Sequence, residues 1–108
     1  MRRDFTYIDD IVAGTIAILD KPAREPVHRV YNLGATRSEE IAYVISLFEK
    51  ALGKKAIIEL KPAERGDMQE TAADISSTTR DFGWEPHTTV EEGIPQFVDW
   101  YKSYHHLL

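Results

Sequence analysis

No cysteine occurs among the 108 residues, which excludes disulfides and thiolate metal ligands and suits a cytoplasmic protein. There is no glycine-rich phosphate loop either, because the six glycines stand alone at positions 14, 34, 53, 66, 83 and 93. No tyrosine precedes a lysine by four positions, and no nucleophile–base arrangement can be assembled. His28, His87, His105 and His106 are scattered without the spacing of a metal site. No apolar run approaches the length that spans a bilayer. The start, Met1-Arg2-Arg3-Asp4, has no signal-peptide core and reads as a chain begun inside a domain. Basic residues are few: 13 against 18 acidic, for a net charge of −5. That balance leaves no basic stripe for nucleic acid or a membrane surface, but it permits one anionic ligand held by a few arginines. Nothing in the chain reads as catalytic machinery.

What is present fits one soluble mixed α/β domain over residues 1–108. Phe5 to Ile8 reads as a short strand. Asp9 or Asp10 can cap a helix to about Leu19, with Ile8, Val12, Ile16 and Leu19 on one face. Ile11 and Ile18 widen that stripe, which implies more than one covering neighbour. Lys21-Pro22 stops the helix, and Arg24 to Pro26 is loop. Val27 to Leu33 reads as a second strand. Thr36 and Glu39 have capping-box spacing for a helix from Ser38 to Leu52, which Gly53 ends. Lys55 to Leu60 alternates as a third strand, so the order implies a right-handed parallel βαβ crossover. Lys61 to Gln69 is a polar turn region, and Ala72 to Asp74 is a very short strand. Ser76 or Ser77 caps a short helix ending near Gly83. Thr88 and Glu91 repeat the capping-box spacing before a last helix bearing Val90, Ile94, Phe97, Val98, Tyr101 and Tyr104 on one face. Pro95 requires that helix either to begin later or to tolerate a kink.

Two segments carry candidate ligand chemistry. Arg3, just before a strand, can pair two oxygens of a pyrophosphate, or it is simply an exposed arginine near a chain end. Phe5 and Tyr7 share a strand face and serve either ring stacking or core packing. Asp9 and Asp10 could form a carboxylate pair, but a helix start is the simpler account. Glu64-Arg65-Gly66-Asp67 is an ordinary charged turn or a ligand loop, with Arg65 on a phosphate and Asp67 on a ribose hydroxyl.

Taken in order, Arg3-Asp4-Phe5-Thr6-Tyr7-Ile8-Asp9-Asp10, Tyr31-Asn32-Leu33-Gly34, Gly66-Asp67-Met68, Ala73-Asp74-Ile75-Ser76 and Phe82-Gly83-Trp84-Glu85-Pro86 form a recognisable series. Together with Glu49-Lys50-Ala51-Leu52-Gly53-Lys54 and Glu91-Glu92-Gly93-Ile94, it resembles the C-terminal part of the NAD-dependent nucleotide-sugar epimerases and dehydratases, the extended short-chain dehydrogenases. The opening resembles the UDP-glucuronate 4-epimerase branch, then UDP-glucose 4-epimerase. The resemblance implies a small substrate-binding domain without a complete Rossmann domain. In such enzymes an N-terminal Rossmann half binds NAD and supplies catalysis, while this part grips a UDP-sugar. It implies pyrophosphate contact for Arg3, an aromatic wall of the nucleotide pocket for Phe5 and ribose contact for Asp67. The family arginine three residues before that aspartate is Glu64 here, so Arg65 takes the second phosphate role one position late. The expectation is therefore a cytoplasmic, homodimeric parent enzyme of which this part is inactive alone. A dehydratase, decarboxylase or reductase parent, or a free-standing interaction module, are the alternatives.

Overall fold

The computed structural model describes residues 1–21 and 28–107. Its elements are β1 (Arg2–Asp4), α1 (Ile8–Leu19), β2 (Ser38–Glu40), α2 (Ile41–Leu52), α3 (Ser76–Phe82) and α4 (Val90–Tyr104). The mixed α/β class is therefore found, with one two-stranded sheet among the described residues.

β1 and β2 pair antiparallel, with Arg2 opposite Glu40, Arg3 opposite Glu39 and Asp4 opposite Ser38. A third segment lies along the other edge of β1. Arg2 N donates to the Gln69 carbonyl at 2.7 Å and Thr71 N donates to the Arg2 carbonyl at 3.2 Å, forming a parallel bridge between Arg2 and Glu70. The first strand thus lies at Arg2–Asp4 rather than Phe5–Ile8, because that is where backbone partners flank it on both edges.

The expected parallel crossover does not form. Residues 28–33 and 55–60 are irregular, and so are 72–74; Val27, Pro22 and the expected loop from Arg24 to Pro26 lie outside the described residues. Ile57 and Leu60 are 103% and 93% exposed. Their branched, alternating sequence supplies strand propensity, but propensity acts through packing against a neighbouring strand. No described segment provides one there.

α2 and α4 hold the main core. Val44, Ile94 and Val98 are buried, with Leu47, Phe48, Ala51 and Val90 packed on them, and Phe48 meets Phe97 edge-on at 6.0 Å. Each such aliphatic side chain contributes about 1.5–3 kcal/mol when fully buried. α2 begins after Glu40 rather than at Ser38, because Ser38–Glu40 are paired as β2. Thr36, the expected cap, has a φ of 60°, and its N–H is donated elsewhere. Gly53 ends α2 in the left-handed region at a φ of 67°, a conformation costly for any residue with a Cβ.

α4 starts one residue later than the Thr88–Glu91 spacing implies. Its cap is Thr89, whose hydroxyl accepts from Glu92 N at 3.3 Å, while Thr88 N is donated to Asp10. The helix runs unbroken through Pro95. A proline inside a helix costs about 3 kcal/mol or more, and here the buried Ile94 and Val98 on either side offset it.

A second packing centre gathers Gly14 of α1, Thr78 of α3, residues 32–33 and Trp84. Thr78 is fully buried, and its hydroxyl donates to the Asn32 carbonyl at 2.7 Å. Trp84 is buried beside Gly14, where an added Cβ would come within 2.8 Å of the Leu33 side chain and 3.0 Å of the indole nitrogen. α1 therefore turns its glycine inward. The stripe of Ile8, Val12, Ile16 and Leu19 faces outward instead, with Ile8 66% and Leu19 71% exposed. α3 is led in by Asp74, which accepts from both the backbone and the hydroxyl of Ser76 and whose carboxyl is held below its usual range by those bonds.

These two centres leave a thin plate. The extents are 52 × 38 × 19 Å and the radius of gyration is 17.1 Å, against about 13 Å for a compact domain of this length. A thickness of 19 Å leaves room for two layers of helices, each about 10–12 Å across, only where their side chains interdigitate. Outward apolar faces follow directly from that shape.

At the end of α3, Arg80 Nε donates to Asp81 at 2.9 Å and the Tyr31 hydroxyl donates to it at 2.6 Å. These bonds, Arg80 first, lower the Asp81 carboxyl from 3.8 to about 2. A depressed carboxyl stabilises the fold above its unfolded value, and that contribution is lost as pH falls from about 4 to about 2. Thermal unfolding followed between pH 5 and pH 2 should therefore show Asp81→Asn less stable than the parent chain at pH 5. The gap should close by about pH 2. A gap that stays constant across this range would contradict the assignment.

Candidate functional site

Arg2 and Arg3 point to opposite faces of β1, as successive strand residues must. Arg2 is absorbed by structure: it donates to the Ser38 hydroxyl at 3.1 Å and to the Ser38 carbonyl at 2.9 Å, and pairs with Glu40 at 3.4 Å. Arg3 instead reaches Asp67, 64 residues away, at 2.9 Å. A second Arg3 nitrogen donates to the Arg2 carbonyl at 2.9 Å. The rest of the five-donor fork has no protein partner among the described residues. The Arg3 and Asp67 side chains are 24% and 39% exposed. An ion pair with that much solvent contact is worth about 0–1 kcal/mol, so an incoming anion can share or remodel it.

Asp67 is delivered by a tight turn. Its N–H donates to the Glu64 carbonyl at 3.2 Å, and Gly66 has a φ of 85°, as the third residue of a type II turn requires. Arg65 sits at the second position of that turn, exposed, with no side-chain bond among the described residues. The structure thus brings Arg3 and Asp67 together and leaves Arg65 bonded to neither.

Phe5 lines a neighbouring recess of about 140 Å³ with Arg37, Glu39, His87 and Thr88 among its walls. Glu39 is Arg3's strand partner, so the recess adjoins the ion pair across the β1–β2 ladder. Arg37 Nε pairs with Glu39 at 3.0 Å. This recess is lined by neither Arg3 nor Asp67, and both members of the ion pair are partly exposed.

Two aspartates in the opening segment have roles that the sequence reading did not assign. Asp4 accepts from Ala35 N at 2.9 Å, Thr36 N at 3.1 Å and Ala73 N at 2.9 Å. Asp10, read as a helix cap, is buried and accepts from His87 N at 3.2 Å and Thr88 N at 2.9 Å; the cap position belongs to Tyr7. The sequence offered no signal for Asp4, because the strand that contains it, Arg2–Asp4, was expected one segment later, at Phe5–Ile8. Among the described residues no group of three acidic or histidine side chains could hold a metal ion, and no helix is long and apolar enough to cross a membrane.

The residues present do not fit a nicotinamide cofactor. Every glycine is isolated, and no tyrosine stands four positions before a lysine, so neither a phosphate loop nor that catalytic pair can be assigned within this chain.

Comparison with known proteins gives this geometry its context. Residues 1–34 match the NAD dependent epimerase/dehydratase family. The chain is 41% identical over 102 residues to a UDP-glucuronate 4-epimerase of Thermodesulfobacterium geofontis, covering 94% of this chain and 30% of that protein. It superposes on the UDP-glucose 4-epimerase of Bifidobacterium longum, solved with NAD+ and UDP, with a TM-score of 0.84 and 28% identity; 99% of this chain and 32% of that one are covered. The UDP-glucuronic acid 4-epimerase of Bacillus cereus, solved with UDP-glucuronic acid and NAD, gives 0.82 and 32% identity over 95% of this chain and 32% of that one. The chain thus spans about a third of the length of such relatives. The chain is therefore similar at its start to the NAD dependent epimerase/dehydratase family, and along nearly its whole length to about a third of proteins that include UDP-sugar 4-epimerases.

Proposed function

We propose that this chain is a single domain that grips the nucleotide diphosphate of a UDP-sugar within a larger NAD-dependent 4-epimerase. One observation carries the reading. Arg3 and Asp67, which the family resemblance assigns to pyrophosphate and ribose, meet at 2.9 Å although 64 residues separate them. In this reading the unpartnered donors of Arg3 hold diphosphate oxygens, with charge-assisted bonds that are about twice as strong as neutral ones. Asp67 uses one carboxylate oxygen to orient the guanidinium, and its other accepts from a ribose hydroxyl. Phe5, which lines the neighbouring recess, lies against the nucleotide, and Arg65 swings onto the diphosphate from its turn.

The nicotinamide, when bound by the parent enzyme, supplies hydride exchange at the sugar. This chain's share is binding and orientation, and alone it is inactive. The partial exposure of Arg3 and Asp67 accords with a cleft whose opposite wall comes from the rest of a cytoplasmic, homodimeric enzyme. Calorimetric titration of the full-length protein with UDP and with uridine tests the reading. UDP should bind clearly more tightly than uridine, the difference reporting the diphosphate grip. Equal affinity for the two would overturn it.

A further inference from the structure

Arg3 and Asp67 belong to segments that the sequence does not connect locally, so something must hold the two in register. Backbone pairing does part of this: residues 69–71 run along β1 through the Arg2 bonds. A side chain completes it. The Asp4 carboxylate gathers three backbone N–H groups from two other segments, Ala35 and Thr36 on one side and Ala73 on the other. Its own N–H donates to the Thr71 hydroxyl at 3.2 Å. The packing allows little slack, since a Cβ added at Gly34 would come within 2.4 Å of the Ala73 Cβ and 3.1 Å of an Asp4 oxygen. Thr36 is held in the left-handed region while it donates.

From this arrangement we infer that Asp4 is a positioning residue for nucleotide-diphosphate recognition: it staples the segment after Asp67 to the strand bearing Arg3 and so sets the Arg3–Asp67 geometry. The inference rests on the proposed binding role of that pair. It requires the full acceptor capacity of a carboxylate. In Asp4→Asn the amide would present donors to N–H groups that are themselves donors, loosening the 71–73 segment while leaving the α2–α4 core untouched.

The test is a double-substitution cycle on UDP affinity, using the full-length protein with Asp4→Asn, Arg3→Ala and both. Circular dichroism at the titration temperature establishes the folded fraction. If Asp4 acts through Arg3, Asp4→Asn weakens UDP binding roughly tenfold in the parent chain and hardly at all once Arg3 is alanine. Uridine affinity should be nearly unchanged by Asp4→Asn. Should Asp4→Asn prove too unstable to titrate, Thr71→Val removes one bond of the same staple and should lower UDP affinity in the same Arg3-dependent manner. Equal losses in both backgrounds, or no loss in either, would overturn the positioning role. If Arg3→Ala itself leaves UDP affinity unchanged, the binding reading fails instead, and the two failures are told apart.

Discussion

Replacing Arg3 by alanine is expected to weaken UDP binding by the full-length protein by roughly 10- to 100-fold, with uridine affinity nearly unaffected. The magnitude follows from losing hydrogen bonds to a charged group, worth about 1.5–3 kcal/mol, at about 1.4 kcal/mol per factor of ten. The guanidinium is only 24% exposed, so solvent screens it less than a free surface arginine. Arg3→Lys should recover part of the loss, because a lysine supplies the charge without the planar fork that pairs two oxygens. Arg2→Ala provides the contrast. That side chain is committed to Ser38, Glu40 and Glu70 on the opposite face of β1, so its loss should register in thermal stability and spare the preference for UDP over uridine. Calorimetry on the three variants checks the ordering, and equal UDP affinity in the parent and Arg3→Ala would refute it.

The largest effect on stability is expected at Asp10. Its carboxylate takes two N–H groups from the turn ahead of α4, and its carbonyl accepts from the Trp84 indole at 2.9 Å. These bonds connect the start of α1 and Trp84 to the start of α4, beside the Tyr7 ring that packs on Gly93. Asp10→Ala strands the His87 and Thr88 amides in a partly buried place, at about 1–3 kcal/mol for a donor left unsatisfied, so a loss of about 3 kcal/mol is expected. Native stabilities are only about 5–15 kcal/mol, and a plate with so small a core has little in reserve. Asp9→Ala, one residue away on an exposed position, should change stability by less than about 0.5 kcal/mol. Urea unfolding of both variants distinguishes this account from simple helix capping, in which the two substitutions would cost similar amounts.

The helices were legible in the sequence because their apolar period is internal to each segment. The expected stripes on Ile41–Leu52 and Val90–Tyr104 meet through Val44, Ile94 and Val98, a pairing that the sequence did not predict, and Gly53 and Gly83 end their helices in the left-handed region. Starts were less legible than stops. The run Thr88-Thr89-Val90-Glu91-Glu92 contains capping-box spacing in two registers, and what selects the second is the Asp10 carboxylate holding Thr88 N, a contact made across 78 residues. The 36–39 spacing failed for a similar reason. Thr36 N is held by Asp4 and Ser38–Glu40 are drawn into pairing with β1.

Strands were the least legible elements, since their partners decide them. Phe5 to Ile8 and Lys55 to Leu60 carry the composition of strands but lack a described edge to pair with, whereas Arg2-Arg3-Asp4, poor in strand formers, is paired on both sides. The α1 stripe was legible as a stripe but not as an outward one; Gly14 against Leu33 and Trp84 shows which face the fold takes. At the site, local chemistry suggested Arg3 and Asp67 separately, but their meeting depends on the three-way alignment of residues 2–4, 38–40 and 69–71. Asp4 escaped notice because its partners are backbone amides, which leave no trace in side-chain spacing.

The central claim is that the Arg3 guanidinium and the Asp67 carboxylate together grip one nucleotide diphosphate, and a crystal structure of the full-length protein with UDP tests it most directly. The account predicts diphosphate oxygens within about 2.7–3.2 Å of Arg3 nitrogens and a ribose hydroxyl on the Asp67 oxygen that does not face Arg3. UDP bound with its diphosphate away from both residues, and the Arg3–Asp67 pair unchanged, would contradict it.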